Sequence, residues 1–452
     1  MAIQDDAKNF LLSALSRTGG DLPSLQIAWL ATQGYTTGTI DDRWKAYLSA
    51  NAYYLPEGLS RLLVGLNLAV GNNWLPNLLY QEGDILLWYD PSDLTTMFQD
   101  TAGTTQVSAD GQSVALHLDK GQWGGKTLSQ VLAAQPELLA AAAWSMSVGG
   151  GTATATNSPE GTLNLTGDGT NSAIGDQSFA TVAGHRYKIT CDVATNVVAL
   201  YFGTTQGGTQ LATTTFGAGS ARTYTFVATG TLTWVRFFRT GAGTTSVSSI
   251  SLKLVPGYHR TQATGPSMPK YKTDGTLHWL LYDGTDDSNQ TSSITWGSDE
   301  VEACFGRTKS SDAAVNCLLE FSPTLSGNNG TFALFNDVLA SQYSFGSKGT
   351  IATDTFSGAG FAAPSTNVLT CIGDISGDVN RMRIDGVQVA ETLTDQGTGN
   401  YGNFVLNFGR RNNTSFPFNG REYQTVMRSR LLSAPERADL EAYVAAKTGV
   451  TL

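Results

Sequence analysis

Hydrophobic and polar positions change their period twice along this chain. Up to about residue 80 apolar residues recur at helical spacing, from about residue 137 they alternate in twos, and beyond Ser433 the helical spacing returns. In the first part, residues 21–35 superpose on residues 39–53 at an offset of eighteen. Leu22 matches Ile40, Ala28 matches Ala46, Trp29 matches Tyr47, Leu30 matches Leu48, Gln33 matches Asn51 and Tyr35 matches Tyr53, so the segment is a repeat. Each copy reads as one short helix, with Asp21 or Thr39 as N-cap, and Thr39 with Asp42 forms a variant capping box. Further helices are expected between Ile3 and Leu15 and, more weakly, from Pro56 to about Val70. Helices this short do not stand alone in water. They form a small self-contained domain or pack on sister chains or a larger assembly.

Period-two segments follow. Tyr224–Ala228 and Thr233–Arg239 alternate faces, and the Gly-rich stretches 203–208 and 241–245 read as turns. Tyr187, Ile189, Cys191 and Val193 mark the core side of another strand, with Cys191 as a small core residue. Many short strands at this spacing predict a β-sandwich. Nearer the C-terminus, Arg381–Val389 predicts a hairpin about the two-residue loop Asp385-Gly386. Ser433, Pro435 and Glu436 open a final helix whose apolar face is Leu440, Tyr443 and Val444. Between the helical part and the first sandwich, Asp90-Pro91-Ser92-Asp93 is a turn signal, followed by a short apolar face of Leu94, Met97 and Phe98. The fold class is therefore mainly β: a small N-terminal α-helical module followed by two β-sandwich domains.

Composition narrows the function. The 452 residues leave room for two or three domains, and 50 glycines with only 15% charged residues suit short strands and turns. A net charge of −10 argues against a nucleic-acid partner. Cys191, Cys304, Cys317 and Cys371 have neither zinc-site nor disulfide-framework spacing. No signal peptide is visible at the N-terminus and no apolar run would span a bilayer, so membrane insertion is not expected. Synthesis in a reducing cytoplasm, with release by lysis, follows as the expectation.

Catalytic signals are weak. Lys120–Thr127 ends in Gly125-Lys126-Thr127, but Lys120 stands where a phosphate-binding loop needs its first glycine, so the stretch reads as a linker. His117, His185, His259 and His278 share no metal-ligand spacing, and no serine sits in a nucleophile elbow. Glu300 and Glu302 share a strand face as a glycosidase pair would, yet read as a solvated strand edge. No enzyme activity and no cofactor are expected.

Beyond these patterns, Trp88-Tyr89-Asp90-Pro91-Ser92-Asp93 and the residues to Thr105 resemble a segment of tail-fibre and other virion proteins of tailed bacteriophages, where it opens a lectin-like jelly roll. Tyr282–Asp287, Phe418–Gln424, Arg430–Arg437 and Leu440–Lys447 resemble the turn and the end of concanavalin A-like (laminin-G-type) jelly rolls. Trp144–Thr156 and Ser248–Leu254 resemble the first and last strands of carbohydrate-binding-module-like sandwiches. The resemblance implies a helical virion-attachment module (1–80), a discontinuous jelly roll (81–130 and 256–452) and an inserted sandwich (131–255). It implies a structural virion protein, as a tail or collar fibre or a capsid-decorating spike, assembled in the host bacterial cytoplasm. Its partners would be other virion proteins (capsid, collar or tail), sister chains in a homotrimer, and host-surface glycan. Docking would use Trp29, Trp44 and Tyr47. Asp283, Asp286 and Asp287 would be weak calcium candidates or caps of backbone amides. The alternatives are a glycan depolymerase with accessory lectin-like modules and a purely architectural decoration protein.

Overall fold

The computed structural model describes residues 28–31, 75–81, 83–337 and 341–452. Apart from residues 28–31, the eighteen-residue repeat lies outside these residues, as do the helices expected before Leu15 and after Pro56 and the candidate docking residues Trp44 and Tyr47. Of the repeat, residues 28–31 are helical, with Trp29 and Leu30 buried.

The described chain is mainly β and builds four antiparallel sheets. Two of them face each other across the largest core. The eight-stranded sheet centres on Asn419–Arg428, Glu300–Lys309 and Ser365–Asp374, and Leu86–Tyr89 joins it by pairing with Arg428–Thr425. The nine-stranded sheet begins with Met97–Phe98 and Leu116–His117, and Arg260–Thr261 pairs directly with the latter. Strands from both sides of residues 118–259 thus complete the same two sheets. Leu87, Phe305 and Met427 from one sheet pack on Phe321, Leu334 and Phe345 from the other. That interleaved apolar layer is the dominant favourable term for this sandwich.

A C-terminal helix, Ala434–Thr448, covers the outer face of the eight-stranded sheet. Ser433 and Glu436 close a capping box at its start, and Leu440, Val444 and Ala445 bury against Trp88, Cys304, Val368 and Val426. The hairpin about Asp385-Gly386 also forms, with both residues at positive φ as a tight two-residue turn requires.

Residues 145–255 form two further five-stranded sheets, and none of their strands pairs with a strand of the larger sandwich. Their core holds Leu165, Ile189, Cys191 and Leu252 from one sheet against Leu200, Phe202, Val235 and Phe237 from the other. The turn expected at 241–245 is shorter, because Gly243 already begins the strand Gly243–Val255. Lys120–Thr127 is not a linker. Gly121–Trp123 is a buried single turn, and the Trp123 indole N–H donates to the Pro256 carbonyl at 2.9 Å. Trp123 joins Leu116, Leu118, Val131 and Val255 in a small apolar cluster between the two sandwiches.

Candidate functional site

The Trp88–Asp93 segment is anchored from every side. The Asp90 carboxylate is buried and lies 3.5 Å from Lys447 Nζ and 3.8 Å from Lys120 Nζ, and it accepts from the Ser92 amide and the Tyr443 hydroxyl. Although burial alone would raise its pKa, the two lysines and Ser92 hold it below the usual carboxylate range. Asp93 caps the turn Leu94–Thr96 and pairs with Lys120 at 2.7 Å, while Lys120 Nζ sits 4.3 Å above the Trp88 ring. Leu94 and Met97 face the main core, but Phe98 points the other way, into the cluster between the sandwiches, because neighbouring strand residues face opposite sides. The motif therefore ties the first strand to the last helix.

Asp283, Asp286 and Asp287 come together, their ligand oxygens within 4.8 Å of one another. Each carboxylate already accepts a donor. Asp283 Oδ1 takes the Thr285 and Asp286 amides, Asp287 Oδ2 takes the Asp283 amide, and Asp286 Oδ2 takes the Ser267 hydroxyl. Burial, with Asp283 and then Asp286 beside it, pushes Asp287 up to about 7. The donor set is that of a self-capped turn. Glu300 and Glu302 do not form a solvated edge. Glu302 is 1% exposed, and its carboxylate is bound by Arg437 and the Leu432 amide, while Glu300 takes the Leu431 amide. Both lie where the chain enters the covering helix.

The arrangement best suited to a ligand is on the outer face of the inserted sandwich, where no motif marks it. Along Leu232–Arg239 the odd positions Thr233, Val235, Phe237 and Arg239 are buried. Trp234, Arg236 and Phe238 consequently project from the sheet. The neighbouring strand Val198–Gly203 contributes Tyr201 opposite Arg236, and Ala173–Ala180 contributes Asp176 on the other side. Asp176 is 1% exposed and grips the guanidinium through two bonds of 2.7 Å, from Nε to Oδ1 and from Nη2 to Oδ2. Gln206 adds a third donor to Asp176 at 3.0 Å. The bond to Asp176 raises the Arg236 pKa further above an already high value, so the group stays charged at every working pH.

Three half-buried rings share the sheet face of this arginine. Tyr201 and Phe238 pack with centroids 4.6 Å apart, and Trp234 stands two residues along the same strand. The loop after Gly203 reaches over the pair at Gly207, where a Cβ would lie 2.6 Å from the Arg236 guanidinium carbon. Only glycine lets the loop come so close. The result is an oriented guanidinium flanked by aromatic surface on an open sheet face.

A second feature adjoins it. The edge strand Ala212–Phe216 of the same sheet, the edge strand Gly219–Val227 of its partner sheet and the loop 100–105 of the larger sandwich enclose an open groove of about 570 Å³. The loop is fastened in place. The Ala102 carbonyl accepts from the Thr225 amide at 3.0 Å and hydroxyl at 2.7 Å, and Arg186 donates to the Thr101 carbonyl at 2.7 Å. The void between the sandwiches beneath it is only about 10 Å³. The groove is thus preformed.

No family model and no curated protein matches the chain. Among solved structures, the Ruminococcus gnavus IT-sialidase CBM40 bound to alpha2,3 sialyllactose is similar with a TM-score of 0.27 and 16% identity, over 34% of this chain and 97% of its own. The NanB sialidase from Streptococcus pneumoniae gives 0.27 and 13%, over 35% and 26%. The botulinum neurotoxin serotype D binding domain gives 0.31 and 10%, over 42% and 50%. These likenesses are partial and low.

Proposed function

We propose that this chain is a structural protein of a tailed-phage virion that displays its sandwiches for adhesion to host-surface glycan. The virion reading is supported by the resemblance carried by Trp88–Asp93 and by the C-terminal segments. Glycan binding is supported by one observation above all: Arg236, locked by Asp176 and Gln206 among the rings of Tyr201, Trp234 and Phe238. A sugar offers an apolar C–H face to aromatic surface and hydroxyls to planar polar groups, and this face supplies both. Single-site affinity would be weak, and several copies on one particle, a homotrimer included, would raise it by avidity. Residues 1–80, whose sequence predicts a helical module, would dock on capsid, collar or tail; Trp44 and Tyr47 stand as its candidate contacts, while Trp29, the third candidate, is buried. The depolymerase alternative has no support at Glu300 and Glu302, which Arg437 and backbone amides occupy.

Binding of the full-length protein to a glycan array and to whole host cells tests the adhesion reading. Trp234→Ala and Arg236→Ala should each lower binding about tenfold, the loss expected when a stacked ring or an oriented charged donor is removed. Wild-type binding by both variants, or silence of the wild type on arrays and cells, would overturn it. Labelled antibody on intact particles tests the virion reading separately.

A further inference from the structure

We propose that the junction groove continues the aromatic face into a path for an extended, uncharged oligosaccharide chain, so that the insertion creates a site neither sandwich has alone. This rests on the glycan-binding reading and adds the ligand class and a second set of contacts.

Continuity comes from Thr215. It projects from the same sheet face as Arg236, since Thr213 and Thr215 stand opposite Tyr201 and Ala199, and it also lines the groove. Arg236 and Thr213 are two strand spacings apart in one row, roughly 10 Å. That reach exceeds a single sugar ring and suits a chain running across the strands.

The groove's own chemistry favours a neutral polyhydroxyl ligand. Its charged lining side chains are Asp100 and Arg222, whose charges cancel. Arg222 is held back on its turn by bonds to the carbonyls of Gly217 and Ala218. Asp100 accepts from the Thr104 amide and hydroxyl and from the Thr105 amide, which fills three of its roughly four lone-pair sites and leaves one to accept from a ligand hydroxyl. The Tyr224 hydroxyl has no hydrogen-bond partner among the described residues, while its ring is fixed by stacking parallel to Phe202 at 6.1 Å. Donor and acceptor therefore stand ready on opposite walls. A carboxylated sugar in the groove would meet Asp100 as a like charge, with Arg222 already engaged. Because the loop 100–105 belongs to one sandwich and Tyr224 to the other, both must be present.

The test is a length series. Full-length protein is titrated with neutral glucan, mannan and galactan oligomers from the disaccharide upward, and with an acidic uronate series. The expected result is tighter binding to longer neutral oligomers, by about tenfold over the disaccharide. Tyr224→Phe combined with Asp100→Asn should bring that ratio towards one, and Tyr224→Phe keeps the ring, so folding is preserved. A double variant that keeps the full length dependence would overturn the path while leaving glycan binding standing. Tighter binding of the uronates than of the neutral series would overturn the ligand class. A wild type that binds no oligomer would overturn both this proposal and the adhesion reading.

Discussion

Arg186 of the inserted sandwich donates to the backbone carbonyl of Thr101 in the larger one at 2.7 Å, and the same nitrogen reaches the Thr225 hydroxyl at 2.6 Å. The guanidinium is 4% exposed and has no carboxylate partner at bonding distance among the described residues. Burial lowers its pKa to about 10, with Asp100 opposing the drop, so the group stays charged at neutrality and its hydrogen bonds at the point where the sandwiches meet go to carbonyl and hydroxyl dipoles.

Replacing Arg186 by Leu should therefore uncouple the two sandwiches more than it unfolds either. The bond to Thr101 is a charge-assisted contact worth about 2 kcal/mol. Calorimetry of the wild type should give one transition and Arg186→Leu two. A single transition at the wild-type temperature would show that the junction is held by the apolar cluster around Trp123 instead.

Asp90→Ala should destabilise the larger sandwich by about 3 kcal/mol, because Lys447 and Lys120 would lose the buried carboxylate between them. Denaturant melts measure this directly. Ser92→Ala, which removes one hydroxyl contact from Asp90 and Lys447, should cost about 1 kcal/mol. Equal, small losses in the two variants would mean that the segment is not the anchor of the last helix.

Asp287 carries a pH signature. Its pKa in the fold is about 7, above the 3.8 of the free side chain, so the folded state holds the proton more tightly. The stability this contributes is complete below about pH 4 and is lost as pH rises through 7. Asp287→Asn keeps the acceptor for the Asp283 amide without the charge. Its melting temperature should exceed the wild type's by a few degrees near pH 8 and by less near pH 5. A difference independent of pH would show that Asp287 titrates normally.

Excising residues 131–255 and bridging the ends with a short Gly/Ser linker should leave the larger sandwich folded. The chain on either side of the insertion meets: the Asp119 amide donates to His259 Nδ1 at 3.0 Å, the Tyr258 amide donates to Asp119 Oδ2 at 2.9 Å, and the Trp123 indole donates to the Pro256 carbonyl at 2.9 Å. Residues 257–452 alone should be insoluble, since they lack Leu86–Tyr89 and Leu116–His117, which pair with Thr425–Arg428 and Arg260–Thr261. A cooperative melt from that fragment would show that the early strands are dispensable. For any N-terminal truncation, the cut belongs before Leu75, because Leu79 is 2% exposed and packs with Leu86 and Trp88.

Local chemistry was legible in the sequence wherever a short stretch decides its own conformation. The period-two runs, the Asp385-Gly386 hairpin, the Ser433–Glu436 capping box and the Asp90–Asp93 turn depend on residues within a few positions of one another, so alternation and capping rules reach them. What the tertiary structure alone decided depends on partners far apart in the chain. Glu302 reads as exposed until Arg437 folds over it, Lys120–Thr127 reads as a linker until Trp123 finds Pro256, and Arg236 is an ordinary strand residue until Asp176 and Tyr201 arrive from neighbouring strands. A side chain's face follows from its own strand. Its neighbours on that face follow from which strands lie alongside, and that is set by burying two sheets' apolar surfaces together, a collective property no local pattern encodes.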